Sequence, residues 1–357
     1  MCRGRLVRRQ LAFVSLNSLL VPLVAVGIAF VLGAVAILIA GGAPLIAYRE
    51  LVIGAMGSVT NLAATLARSV PIVTAGIGMA FAFRAGFFNI GGEGQMIMGA
   101  IAAAVVGIAF RDLPAPLLLP MAVGAGCLAG ALWAALSGWW QAWYGVPILI
   151  TSLLLNFVAA LFGAYLTSYP LRVVGASSGV AATPMVAEAI QLPPLLDGTR
   201  LHAGVLAMVV IALGVAWFQR RTVLGYSMRM TGHNPHFAEY GGIDLRRTTL
   251  QTMMISGAIC GLAGVLLVLG IHFRYVDTSI TAPGYAWTGF TAALLAASHP
   301  IYTVFSGIFL AGLEVGATGM ERNTMVPLQL VDVVQGIVIL MVGTRVGIET
   351  LMRRAVR

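Results

Sequence analysis

Lysine is absent from this chain: all 21 of its cationic residues are arginine. Charge of either sign is scarce, at 9% of 357 residues. A soluble domain carries roughly 25% charged residues, so a water-soluble globule is excluded. Cysteine is nearly missing as well. Cys2, Cys127 and Cys260 are far apart and form no C-x-x-C, which excludes a disulfide framework. They read as small apolar residues. The sequence contains no G-x-x-x-x-G-K-[ST], no G-x-G-x-x-G in a strand–helix context and no H-E-x-x-H. Nothing therefore calls for a cofactor or a metal, and any ATP used here is held by another polypeptide. The alternating pattern of a membrane β-barrel is also missing. The net charge of +9 does not point to nucleic acid, because the arginines are scattered between apolar stretches and form no basic face.

Apolar sequence fills the chain: 59% of residues are hydrophobic and the mean hydropathy is +0.95. Runs near 20 residues recur, long enough to cross a bilayer. The expectation is an all-α polytopic membrane protein, one transmembrane domain over 1–357, with about ten helices and some broken or re-entrant segments. The segments read as 11–40, 69–83, 94–110, 115–138, 146–169, 202–219, 249–270, 285–297, 301–319 and 326–343. The first run is too long for a signal peptide and reads as an uncleaved helix. Residues 285–297 are short enough to be re-entrant, and 50–68 read as a helix lying at or dipping into the outer surface. On this map fourteen arginines fall on the side of the termini and seven opposite, so both termini are expected in the cytoplasm. The same arginines are expected to serve as topology determinants and as contacts to lipid headgroups of the bilayer.

The most informative stretch is 71–100, PIVTAGIGMAFAFRAGFFNIGGEGQMIMGA. Two apolar segments are interrupted by a polar, glycine-rich hinge. Arg84, Asn89, Glu93 and Gln95 stand among Gly86, Gly91, Gly92 and Gly94. Hydrocarbon cannot satisfy free backbone groups, so such a break survives only inside protein or beside water. Broken segments are where transporters place a substrate route.

Two connections stand out. Residues 170–200 carry Pro170, Pro184, Pro193 and Pro194, which argue against a long helix, and are expected outside. Residues 220–248 form the longest polar stretch and are expected in the cytoplasm. Within it, 233–240 starts a short helix after Gly232, with Asn234 as N-cap and Pro235 at the first helical position. Gly241 and Gly242 end it. Small residues recur at helix-packing spacing in Gly126/Gly130, Gly257/Gly261 and Gly312/Gly316, which favours packing within the chain.

Three stretches together carry a resemblance. The run Phe83, Gly86, Phe88, Asn89, Ile90, Gly91, Glu93, Gly94, Gln95 is similar to F-x-x-G-x-F-N-I-G-x-E-G-Q. The run Gly232, Asn234, Ala238, Tyr240, Gly242, Ile243 is similar to G-x-N-x-x-A-A-x-Y-A-G-I, with Phe237 and Gly241 where alanine is usual. GYAWTGFTAALLAASHP matches a late membrane motif. In this order they resemble the permease subunits of ABC importers for nucleosides, within the wider ribose and branched-chain amino-acid permease group. The resemblance implies four kinds of partner: a cytoplasmic ABC ATPase, a second permease subunit that is a paralogue, an extracytoplasmic substrate-binding protein, and the bilayer. It makes the chain a transporter subunit and not an enzyme. Gly232, Asn234, Ala238, Tyr240, Gly241 and Gly242 then form the coupling element.

A neutral nucleoside needs aromatic surfaces and side-chain amides. Asn89, Gln95, Asn156, Trp287 and Phe290 have that chemistry and are the candidate substrate path. For Asn89 and Gln95 the other reading is internal satisfaction of the broken backbone, and for Asn156 an interhelical hydrogen bond. For Trp287 and Phe290, three apart on one helical face, it is helix packing. Arg84, Gly91, Glu93 and Gly94 read as hinge bracing, with Arg84 near enough in sequence to pair with Glu93. Alternatives are a sugar-specific permease of the same group, or an ion-coupled carrier using Glu93, Glu314 and Asp332. An intramembrane serine protease built on Ser256 with His272 or His299 lacks the required G-x-S-G context.

Overall fold

A computed structural model describes residues 26–39, 41–173, 181–324, 326–327, 329–337 and 339–340. The amino-terminal half of the expected first segment and the arginines of both tails lie outside the described residues. The helices are α1 (Val26–Ile39), α2 (Pro44–Met56), α3 (Val59–Phe83), α4 (Gly92–Ala109), α5 (Ala115–Tyr144), α6 (Ile148–Ser168), α7 (Gly204–Arg221), α8 (Val223–His233), α9 (Pro235–Tyr240), α10 (Leu245–Leu267), α11 (Tyr285–Leu295) and α12 (Pro300–Thr324). Seven of them are long and apolar enough to cross a membrane. The count is eight if α1 and α2, bent by 117°, form one broken span. Ten was therefore an approximate expectation.

Small residues decide which helices sit at the centre. α3 and α10 are mostly buried and carry Ala, Gly, Ser or Thr at many of their buried positions. Gly126 and Gly130 of α5 lie directly on Gly257 and Gly261 of α10. A Cβ on Gly130 would stand 2.3 Å from the Gly257 carbonyl, and one on Gly257 would stand 2.3 Å from that of Gly130. Two G-x-x-x-G pairs thus face each other, which brings the backbones together as only glycine permits. In the third pair, Gly316 lies against the Leu51 carbonyl of α2, whereas Gly312 leaves room for a methyl group.

The outer helices show the opposite pattern. α7 exposes Leu206, Val210, Leu213 and Trp217, and α6 exposes Leu154, Val158 and Leu161. Apolar rows of this length face hydrocarbon. Exposed Trp139, Trp143 and Tyr144 mark one end of the bundle and Tyr165 and Tyr169 the other, as in interfacial aromatic belts.

Three local departures matter. α3 starts at Val59, capped by Ser58, so most of 50–68 belongs to two ordinary helices. α11 has only 11 residues and turns back through Ala297 and Ser298, both left-handed at φ 48° and 59°. The polar stretch 220–248 begins with a helix, α8, whose N-cap Thr222 accepts from Gly225 N at 3.1 Å. At 11 residues inside a polar stretch it is too short to register as a membrane segment. At the other end, residues 181–203 form no long helix and fold onto 269–277, with Thr183 N donating to Tyr275 O at 2.9 Å and Leu192 N to Leu269 O at 2.8 Å.

Candidate functional site

The hinge occupies residues 84–91. α3 ends at Phe83, Gly86 turns the chain at φ 83°, and Gly91 caps α4. Breaking a helix strands backbone groups at both new ends. Side chains from α6 and α10 meet that demand. Asn156 bridges two of them, accepting from Gly94 N at 2.8 Å and donating to Ile90 O at 3.0 Å. Ser152 Oγ accepts from Ile90 N at 3.2 Å. Asn89 Oδ1 accepts from its own neighbour, Gly91 N, at 3.0 Å and from Gln95 Nε2 at 3.0 Å. Asn89 Nδ2 donates to Ser256 Oγ at 2.9 Å, and Ser256 in turn donates to the Gly78 carbonyl of α3. All three amides are buried. Asn89, Gln95 and Asn156 are thus brought together, facing the hinge backbone with both ends of each amide engaged.

The glycines are sized to this network. A Cβ on Gly91 would come within 2.9 Å of both Gln95 Nε2 and Ser152 Cβ. One on Gly94 would meet Trp133 Nε1 at 3.0 Å and Asn156 Oδ1 at 3.1 Å.

Arg84 and Glu93 do not pair. Arg84 caps the end of α3 and donates to Gln219 Oε1 of α7 at 3.0 Å. Glu93 lies in the first turn of α4, where a carboxylate complements the helix dipole. Its polar neighbour is Trp287 of α11. The reversal of the chain at Gly86 sends the two side chains to different sides.

Trp287 and Phe290 belong to a row of aromatic rings. Trp287 meets Phe290 at 6.3 Å between centroids, Phe290 meets Phe83 at 5.7 Å, and Phe83 stacks on Phe88 at 5.0 Å. Trp287 and Phe88 are about half exposed. The row leads from the hinge to a cavity of about 940 Å³ bounded by α3, α11, α12 and the 198–200 segment. Sequence reasoning named Glu314 and Asp332 on its polar wall but missed the pairing of Glu314 with Arg68. Arg68 is paired with Glu314, Thr288 Oγ1 donates to Glu314 Oε1 at 2.5 Å, and the Arg68 guanidinium lies 5.2 Å from the Tyr285 ring centroid. Two intramembrane charges were the available signal. Glu314 is held by these partners, while Asp332 lines the cavity from a further helical stretch at 329–337.

The other candidate element projects from the opposite end. Asn234 caps α9, accepting from Phe237 N at 3.2 Å, with Pro235 in the first turn. Gly241 N returns to Phe237 O at 3.0 Å, and Gly242 leaves the helix at φ 81°. Ala238 is buried beneath the helix, while Phe237 and Tyr240 stand 67% and 94% exposed. The preceding helix α8 joins this tip to the hinge. Gly232 lies so close that a Cβ there would be 2.2 Å from the Arg84 carbonyl, and Gly86 faces the Gly232 Cα. The arm and the hinge therefore touch backbone to backbone.

Residues 61–343 match the model of a family described as branched-chain amino acid transport system / permease component. Among curated proteins, the chain is 33% identical to the guanosine ABC transporter permease NupP of Bacillus subtilis, over 94% of this chain and 96% of that one. It is 33% identical to the glucose ABC transporter permease TsgB13 of Haloferax volcanii, over 90% and 86%. It is 29% identical to the nucleoside ABC transporter permease NupB of Lactococcus lactis, over 95% and 94%. No solved structure matches the chain.

Proposed function

Because the chain belongs to the branched-chain amino acid transport system / permease component family, we propose that it is the membrane-spanning subunit of an ATP-driven importer whose cargo is a nucleoside. It forms the translocation path and holds no ATP itself. A separate cytoplasmic ABC ATPase receives α9. A second permease subunit, a paralogue, completes the path, and an extracytoplasmic binding protein delivers cargo to the end formed by 181–203. Two relatives named for guanosine and nucleoside transport support this cargo. In this reading both termini and α9 are cytoplasmic, and no cofactor or metal takes part.

The observation that carries the coupling mechanism is the contact between Gly232 and the Arg84 carbonyl. When ATP binding closes the ATPases, α9 moves with them. α8 transmits the displacement to the hinge without an intervening side chain. The hinge is the joint between α3 and α4, so its motion shifts α3, which borders the cavity. Differential affinity of the ATP-bound motor for one arrangement shifts the population toward it.

Cargo recognition falls to the aromatic row. Trp287, Phe290 and Phe88 offer flat faces for a base, and Thr288 offers a hydroxyl for a ribose. Asn89, Gln95 and Asn156 brace the hinge with Gly91 and Gly94, since their amides are already hydrogen-bonded there. Glu93 and Arg84 orient the two ends of the break.

The test is reconstitution in proteoliposomes with the ATPase, the paralogue and the binding protein. ATP-dependent, vanadate-sensitive uptake of labelled guanosine supports the reading. Uptake by this chain alone, driven by a proton or sodium gradient, overturns it. A second cargo class has one specific support, the glucose transporter relative at equal identity. Competition decides: if excess glucose but not adenosine suppresses uptake, the cargo is a sugar.

A further inference from the structure

Beneath the hinge, at the end of the bundle that carries α8 and α9, five side chains meet that offer hydrogen-bond donors and no charge to answer them. Arg84 of the hinge donates to Gln219 Oε1 at 3.0 Å. Arg229 of α8 donates to the Gln219 carbonyl oxygen. Arg220 lies 3.3 Å from His299 Nε2, in the turn before α12. Among the described residues the ion pair is Arg68–Glu314, far from this group, and none of these three arginines has a carboxylate partner.

Two buried atoms are left over, and both have the same character. Gln219 is 1% exposed, and its Nε2 has no partner although its Oε1 is bonded to Arg84. His299 Nδ1 is likewise buried and unpartnered. With Arg220 donating to Nε2, the proton of a neutral His299 is on Nδ1, so this atom too is a donor. An unpaired buried donor costs about 1–3 kcal/mol. Here two such donors stand beside three positive charges, for Gln219 is bonded by Arg84 and Arg229 and His299 by Arg220. Burial lowers the affinity of Arg84 for its proton, and Arg220 and Arg229 lower it further. The common remedy is a compact anion with several acceptor oxygens.

The surroundings point to the source. Trp217, one turn before Arg220 on the same face of α7, is 63% exposed, and Tyr302, 50% exposed, packs on His299 at 4.4 Å. Exposed amphipathic aromatics beside arginines mark headgroup depth. We propose that Arg84, Gln219, Arg220, Arg229 and His299 bind a phosphate group, supplied by an anionic phospholipid headgroup. Such a lipid ties the hinge, the end of α7, the arm α8 and the α11–α12 turn to one anion, so membrane composition would set the stiffness of the arm.

The experiment uses the full chain purified in neutral detergent. Native mass spectrometry and thermal melting are followed while dioleoyl phosphatidylglycerol, dioleoyl phosphatidylcholine or sodium phosphate is added at matched ionic strength. Phosphatidylglycerol is expected to be retained and to raise the melting temperature, with phosphatidylcholine inert. Arg220→Gln/Arg229→Gln should weaken the lipid by about fivefold per arginine removed, while Arg246→Gln/Arg247→Gln, an equal charge change at the same end, should leave it unchanged. If the double variant does not fold, Arg220→Gln alone, at an exposed position, carries the comparison. Protection by inorganic phosphate equal to that by the lipid keeps the site and reassigns its source to free phosphate. Equal retention of both lipids, equal loss in the Arg246/Arg247 control, or no effect of either anion overturns the proposal.

Discussion

The hinge and the α9 tip are both short, polar, glycine-flanked interruptions of an apolar chain, yet their side chains are used in opposite ways. At the hinge, Asn89, Gln95 and Asn156 are buried with both ends of each amide hydrogen-bonded. At α9 the backbone is capped as neatly, but Phe237 and Tyr240 face outward. Side chains that satisfy their own backbone build a joint. Side chains left exposed on a rigid, capped turn build a surface for another molecule. The two are joined through Gly232 of α8, whose missing side chain lets the arm lie on the Arg84 carbonyl.

The largest effect should come from removing the surface while keeping the joint. Deleting 233–240 is expected to reduce ATP-driven uptake to background with the chain still inserted and monodisperse. Normal uptake by that variant would refute the coupling assignment. Gly241→Pro, which removes the amide that returns to Phe237 O, should act in the same direction.

Next comes the contact between the regions. Gly232→Val places atoms on the Arg84 carbonyl. Overpacking of that kind costs about 1–3 kcal/mol. Uptake should fall more than tenfold while ATPase association, measured by co-purification, persists. Unchanged uptake would mean the arm does not act through the hinge.

The joint itself should respond in stability and not in affinity. Asn156→Ala leaves Gly94 N–H and Ile90 C=O without their partner, at about 1–3 kcal/mol each. The melting temperature should drop and the apparent KM should stay. A raised KM with unchanged melting would return Asn156 to the substrate path. Trp287→Ala is the mirror test. It should raise KM about tenfold, roughly 1.4 kcal/mol, with little change in melting.

The smallest effect on the chain alone belongs to the exposed tip. Phe237→Ala should alter stability by less than about 0.5 kcal/mol. It should still weaken co-purification of the ATPase, and a chain that melts much earlier would show that Phe237 packs inside the protein.

Much of this was legible in the sequence because it is local. The cap at Asn234, the turn at Gly242 and the break after Phe83 each depend on neighbours within a few residues, and each stands where the pattern put it. The α8 helix was not legible, since Val223–His233 is only 11 residues long, far short of a membrane span, and its apolar residues alternate with Ser227, Arg229 and Thr231 inside a polar stretch. Nor was the partner of Arg84, because proximity to Glu93 along the chain says nothing once Gly86 reverses its direction.

Apolar runs near 20 residues determined a helical membrane protein, since in hydrocarbon only helices and closed barrels bond their own backbone and the alternating barrel pattern is missing. The glycine-rich, amide-bearing stretch marked where that regularity fails. Only the folded chain decided that Asn156 serves Gly94 from 62 residues away, that Asn89 reaches Ser256, and that Gly130 meets Gly257. Such pairings depend on how helices of similar composition lie against one another. That choice is made by the shapes of whole helix surfaces, which no short window of residues contains.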